Sequence, residues 1–151
     1  MPQLRSKAKP KVKRKTQRKS RKVKKPMQKT VLIVDDEPDL RELLVRAFRE
    51  RGFRTLEATN GALALKVILK EKPDAVVSDL YMHGGGGIDL LNKAKEHDPE
   101  LPFFLISGAD VLLPAESDGH KADFHFTKPF LPSRLADTVA LSVKASAKRN
   151  Q

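Results

Sequence analysis

Four short apolar runs in this sequence end on side chains able to do chemistry. Val31-Leu32-Ile33-Val34 ends on Asp35 and Asp36, Val76-Val77-Ser78 on Asp79, Phe103-Phe104-Leu105-Ile106 on Ser107, and Asp123-Phe124-His125-Phe126-Thr127 on Lys128. Buried parallel strands read as such runs, and open α/β sheets place their chemistry at the C-terminal ends of strands, so three acids, a hydroxyl and an amine are expected along one rim. Carboxylates brought that close repel one another: a pair 4 Å apart at an effective dielectric of 20 costs ~4 kcal/mol before relaxation. The cluster needs a cation. An all-oxygen donor set with room for water and phosphate favours Mg²⁺ over zinc, which prefers His or Cys. A carboxylate-held metal beside a lysine and a hydroxyl suits phosphoryl transfer, because the positive groups neutralise charge on the equatorial oxygens. In that place Asp79 can itself be the nucleophile and form an aspartyl phosphate. Helix capping would account for Asp36 or Glu37 alone, but leaves Asp79, Ser107 and Lys128 unexplained.

The elements that must hold these groups alternate along the chain. After the first strand, Pro38 opens an amphipathic helix through Leu40, Leu43, Leu44, Ala47 and Phe48, and Gly52 ends it. Residues 53–58 form a second strand. Asn60 caps a second helix through Leu63, Val67 and Ile68, which Pro73 stops. Asp79 ends the third strand, and Gly84 to Gly87 follow in a loop whose backbone can approach a ligand closely. Ile88, Leu91 and Ala94 mark a third helix. The fourth strand ends at Ser107-Gly108. Residues 110–120 carry Pro114 and only a short apolar cluster, and make a poor helix candidate. Phe124 and Phe126 face one side of the fifth strand, His125 and Thr127 the other. Leu135, Val139 and Val143 then mark the last helix. Five strands alternating with helices give an α/β, doubly wound parallel sandwich.

Charge divides the chain. Residues 1–29 hold 14 of the 30 Lys and Arg and none of the 19 Asp and Glu, so the rest carries 16 against 19, or −3. A segment this basic and this poor in apolar residues does not bury enough surface to offset its ordering entropy, so residues 1–28 read as a disordered basic tail. Residues 29–146 read as the folded domain and 147–151 as a C-terminal tail, too short for an output domain. The basic segment is compatible with a solvated tail, with nucleic-acid phosphates held through residues 1–25, or with an anionic membrane surface or acidic protein. Met27, directly before the first strand, would also serve as a start that leaves no tail. The tail lacks aromatic residues, so base stacking is not available to it. The absence of cysteine excludes disulfides and fits a cytoplasmic protein, and no apolar run reaches the roughly 20 residues of a membrane span.

Together, Ile33-Val34-Asp35-Asp36-Glu37-Pro38, Asp79 with Met82 and Gly87 following, Ser107-Gly108, and Lys128-Pro129-Phe130 resemble the receiver domain of two-component response regulators. The resemblance covers about residues 29–146. It implies a flavodoxin-like sheet of strand order 2-1-3-4-5 and a single-domain switch in a phosphorelay. Asp79 would accept a phosphoryl group from a sensor histidine kinase or phosphotransfer protein. Asp36 would bind Mg²⁺ directly and Asp35 through water, with Asp79 and the Tyr81 backbone carbonyl as further ligands. Lys128 would pair with the phosphate and Ser107 would turn toward it. Partner binding to an unidentified downstream protein would change, and the chain would be a phosphoacceptor rather than an enzyme. Tyr81 and Ala109 occupy positions that tune autodephosphorylation in the family, and a cis Lys128-Pro129 bond is implied. Two departures stand out. His125 occupies the switch position usually held by Tyr or Phe, and His83 replaces the usual proline four residues after the phosphoacceptor. His83 reads as a solvent-facing loop residue, since no second His or Cys is suitably spaced for a metal. The main competing reading is a protein that binds nucleic acid or anionic surfaces through the tail, with the folded part modulating it. Engagement of ~6 to 10 phosphates would make such binding fall ~10³ to 10⁵-fold between 50 and 200 mM salt.

Overall fold

The computed structural model describes residues 27–84, 86–108 and 119–149. The basic-tail assignment for residues 1–26, Ala109 and nearly all of the 110–120 stretch lie outside these described residues.

Five strands form one parallel sheet in the order β2-β1-β3-β4-β5. They are β1 Thr30–Val34, β2 Arg54–Ala58, β3 Ala75–Asp79, β4 Phe103–Gly108 and β5 Phe124–Lys128. Among the described residues four helices connect or follow them: α1 Pro38–Arg49, α2 Gly61–Glu71, α3 Gly87–His97 and α4 Pro132–Arg149. This is the flavodoxin-like strand order 2-1-3-4-5 that the resemblance implies.

Strand alternation divides the core into two layers. Val31, Ile33, Ala75, Val77, Phe104 and Ile106 pack with α1 and α4 on one face of the sheet. Leu32, Val34, Val76, Phe103 and Leu105 pack with α2 and α3 on the other. Because β1 and β3 are covered on both faces, all five residues of each are buried, which is why they read as unbroken apolar runs. The edge strand β5 has no fully buried residue.

Helix ends follow local chemistry. Pro38 stands at the start of α1, with Glu37 as N-cap but without a side-chain capping bond. Asn60 Oδ1 accepts the Leu63 N–H at 2.9 Å to cap α2, as the sequence indicates. Two apolar positions differ from the sequence reading: Leu43 and Leu63 are 51% and 45% exposed, because α1 and α2 each turn a narrower face to the sheet than the apolar spacing outlines. The last helix also continues through residues 147–149, assigned above to a tail, since Ala145-Ser146-Ala147-Lys148 holds neither glycine nor proline to stop it. Among the described residues no helix is long and apolar enough to cross a membrane.

Candidate functional site

The four chemistry-bearing strand ends meet at one rim. β1 delivers Asp35 and Asp36, and β3, paired directly to β1, delivers Asp79. One ligand oxygen from each of the three carboxylates lies within 4.8 Å of the others. Lys128 Nζ reaches in from β5 to 3.6 Å from Asp79 Oδ2. Ser107, at the end of β4, is 1% exposed, and its Oγ lies 2.6 Å from His125 Nε2 on the neighbouring strand. The Lys128–Pro129 peptide is cis.

The carboxylates are held differently. Asp79 Oδ1 accepts the Leu80 N–H at 2.9 Å, leaving Oδ2 toward Lys128. Asp35 Oδ1 accepts the Glu37 N–H at 2.8 Å, while its Oδ2 is buried without a hydrogen-bond partner. Burial pushes both carboxyls up from the usual range, with like charge from their acidic neighbours adding to it. Lys128 and backbone donors oppose the shift. Asp36, more open, is shifted the other way: its carboxyl is lowered, chiefly by the His83 backbone N–H and then by the His83 ring.

This donor set fits a divalent cation. A buried carboxylate oxygen without a partner costs free energy that a cation within reach would recover, and three hard oxygen donors with no thiolate match Mg²⁺ better than zinc. Tyr81 follows two residues after Asp79 with its side chain 64% exposed.

Gly87 sets how closely the next helix approaches. Its N–H donates to the Leu80 carbonyl at 2.9 Å. A Cβ there would collide with the Asp79 carbonyl oxygen and come within 3.0 Å of Leu80 Cα. Gly87 thus lets α3 approach the backbone of Asp79 itself, a packing role distinct from the approach to a ligand expected of the glycine-rich loop.

Two contacts were not legible in the sequence. His83 is fully exposed, yet its ring Nδ1 lies 2.8 Å from Asp36 Oδ2. Lys95 in α3, only 5% exposed, reaches Asp123 Oδ2 at 2.8 Å, and the same oxygen accepts the Phe103 N–H. A lysine in the last turn of a helix normally reads as solvated, so Lys95 gave no signal, while His83 stood out as a departure from the family but not as a partner of Asp36.

A family model described as the response regulator receiver domain matches residues 31–140. Sporulation initiation phosphotransferase F of Bacillus subtilis is 35% identical over 114 residues, which cover 75% of this chain and 92% of the relative. The phosphate regulon transcriptional regulatory protein PhoB of Pseudomonas aeruginosa is 35% identical over 112 residues, covering 71% of this chain; the chain spans only 48% of that relative. Likewise it spans 53% of the DNA-binding response regulator MtrA of Mycolicibacterium smegmatis, at 33% identity. Among solved structures, the receiver domain of NtrX from Brucella abortus superposes with a TM-score of 0.65 at 29% identity, covering 76% of this chain and 98% of that one. A CheY-like receiver domain protein from Methanospirillum hungatei gives 0.73 at 22% identity, covering 81% and 98%, and speaks for the fold alone.

Proposed function

The chain belongs to the response regulator receiver domains, phosphorylated on aspartate in two-component signalling, and from that premise we propose that it is a phosphorylation switch whose phosphoacceptor is Asp79. The observation that carries this reading is the position of Asp79: at the end of a central buried strand, 8% exposed, between two further carboxylates and a lysine amine.

The chemistry follows from which atoms are already committed. Asp79 Oδ1 is engaged by the Leu80 N–H, so Oδ2 is the oxygen available for attack. It attacks the phosphorus of a phosphohistidine on a sensor kinase or phosphotransfer protein. The O–P bond forms as the P–N bond breaks, and the leaving imidazole takes up a proton. Lys128, already on the Oδ2 side, pairs with the incoming phosphoryl oxygens. Receiver domains bind Mg²⁺ at their acidic pocket, where it supplies positive charge against the carboxylates and the phosphoryl oxygens. Asp35, Asp36, Asp79 and the Tyr81 backbone carbonyl would hold it here. Ser107 would turn its hydroxyl to a phosphoryl oxygen and in doing so release His125, and the altered β4–β5 face would change affinity for a downstream protein. In this reading the chain is a cytoplasmic phosphoacceptor and not an enzyme in the ordinary sense.

The test is intact-mass spectrometry after incubation with a small-molecule acyl phosphate and Mg²⁺. The chain should gain one phosphoryl group, and Asp79→Asn should gain none. A label that persists in Asp79→Asn would sink the assignment.

A further inference from the structure

Of the three clustered carboxylates, two are oriented by burial and one is not. Asp35 and Asp79 are 1% and 8% exposed and are walled in by the sheet. The Asp36 side chain is 27% exposed, and its carboxylate is held by hydrogen bonds from one residue, His83. Asp36 Oδ2 accepts the His83 backbone N–H at 3.1 Å and lies 2.8 Å from the ring Nδ1. Both contacts fall on a single oxygen, so the carboxylate keeps its other oxygen to offer. The ring is not among the side chains whose ligand atoms lie within 4.8 Å of one another, so it stands behind the cluster rather than in it.

We propose that His83 is a positioning residue for the divalent cation, fixing Asp36 through a two-point contact made by its backbone N–H and its ring. The inference rests on the reading of the acidic cluster as a cation site, for which the buried, partnerless Asp35 Oδ2 is separate support. A ligating carboxylate that is itself hydrogen-bonded loses less orientational freedom when the metal arrives, and removing such a partner weakens binding. Residue identity matters at both contact points. A proline here would have no N–H to give and no ring nitrogen, so it would abolish the clamp entirely. The contact also ties the loop before α3, where Gly84 takes φ +83°, to the junction between β1 and α1, 47 residues away in sequence.

The experiment is calorimetric titration of Mg²⁺ into the full, metal-stripped chain, with thermal melts in chelator as the control for folding. His83→Leu should weaken association about 10-fold, His83→Pro at least as much, and His83→Asn, which can still donate to Asp36, should stay within about threefold of the original. Melts in chelator should be alike for the original chain, His83→Leu and His83→Asn, since the side chain is fully exposed, and His83→Pro, which also loses the backbone contact, should still melt as a folded chain. Equal or tighter Mg²⁺ binding in His83→Leu and His83→Pro, with Asp36→Asn still impaired, overturns the role of His83 and leaves the cation site standing. No saturable binding by the unaltered chain, or binding indifferent to Asp36→Asn, overturns the cation site and this inference with it.

Discussion

The two halves of the rim are built on different foundations. The carboxylates Asp35, Asp36 and Asp79 end β1 and β3, strands buried along their whole length and paired on both sides. Lys128 and His125 stand on β5, an edge strand whose residues are exposed or half-buried, and Ser107 joins that half through its contact with His125. The acidic half is therefore pre-formed, and its cost is electrostatic: like charges held together by a scaffold that cannot relax them apart. The β4–β5 half has fewer constraints and can rearrange. A phosphorylation switch needs both, a rigid place for the chemistry and a softer place for the readout.

The edge strand is nevertheless pinned at its N-terminal end, and breaking that pin should have the largest effect on stability. Asp123→Ala would leave Lys95 charged and nearly buried and the fully buried Phe103 N–H without its acceptor. A loss of about 3 kcal/mol is expected, the lower end of the range for breaking a buried pair, because water reaches the 41% exposed Asp123 side chain. Chemical denaturation would read it. A loss under half that size would mean that β5 is held by its ladder to β4 and not by the pin.

The acidic half should respond in the opposite direction. Burial raises the Asp35 carboxyl above the usual 3.8. A carboxyl whose folded value is raised favours the native state in its protonated form. That contribution is fully present below the unfolded value and is lost as pH rises through the folded one. In chelator, the charged form of Asp35 is held in the native state at a cost. Asp35→Asn keeps an acceptor for the Glu37 N–H and removes one like charge, so it should stabilise the metal-free chain by about 1–3 kcal/mol at pH 7. The gain should shrink toward zero as pH falls below the usual carboxyl range. Melts across pH in chelator would check this, and destabilisation at pH 7 would contradict the account of the cluster as repulsive.

Much of this arrangement is legible in the sequence because it is local or periodic. Apolar runs ending on Asp79 and Ser107 announce buried strands with polar ends, and Asn60 announces a helix start because the N–H its side chain accepts, that of Leu63, is only three residues on. Leu43 and Leu63 mislead for a related reason: helical spacing marks which residues share a side, not how much of that side meets the sheet. The contacts that individualise the site join distant segments. His83 to Asp36 spans 47 residues, Lys95 to Asp123 28, and Ser107 to His125 18. None repeats with a helix or strand period, so each emerges only once the sheet order brings its partners together.

The Ser107–His125 contact gives the smallest expected effect and the sharpest test of the softer half. Ser107 is buried, and His125 Nε2 at 2.6 Å is its side-chain partner in the resting state. Phenylalanine at position 125 fills similar space but makes no hydrogen bond, so His125→Phe leaves the buried hydroxyl unpaired, at a cost of about 1 kcal/mol. In the proposed phosphorylated arrangement a phosphoryl oxygen would accept from Ser107, so the hydroxyl would have another partner and the cost should vanish. Melting His125→Phe beside the unaltered chain, each with and without a beryllofluoride mimic of the phosphoryl group and Mg²⁺, separates the two states. A deficit confined to the resting state means that His125 restrains the switch and that its removal favours the phosphorylated arrangement. An equal deficit in both states means that the bond survives phosphorylation, and the edge half is then as fixed as the acidic half it faces.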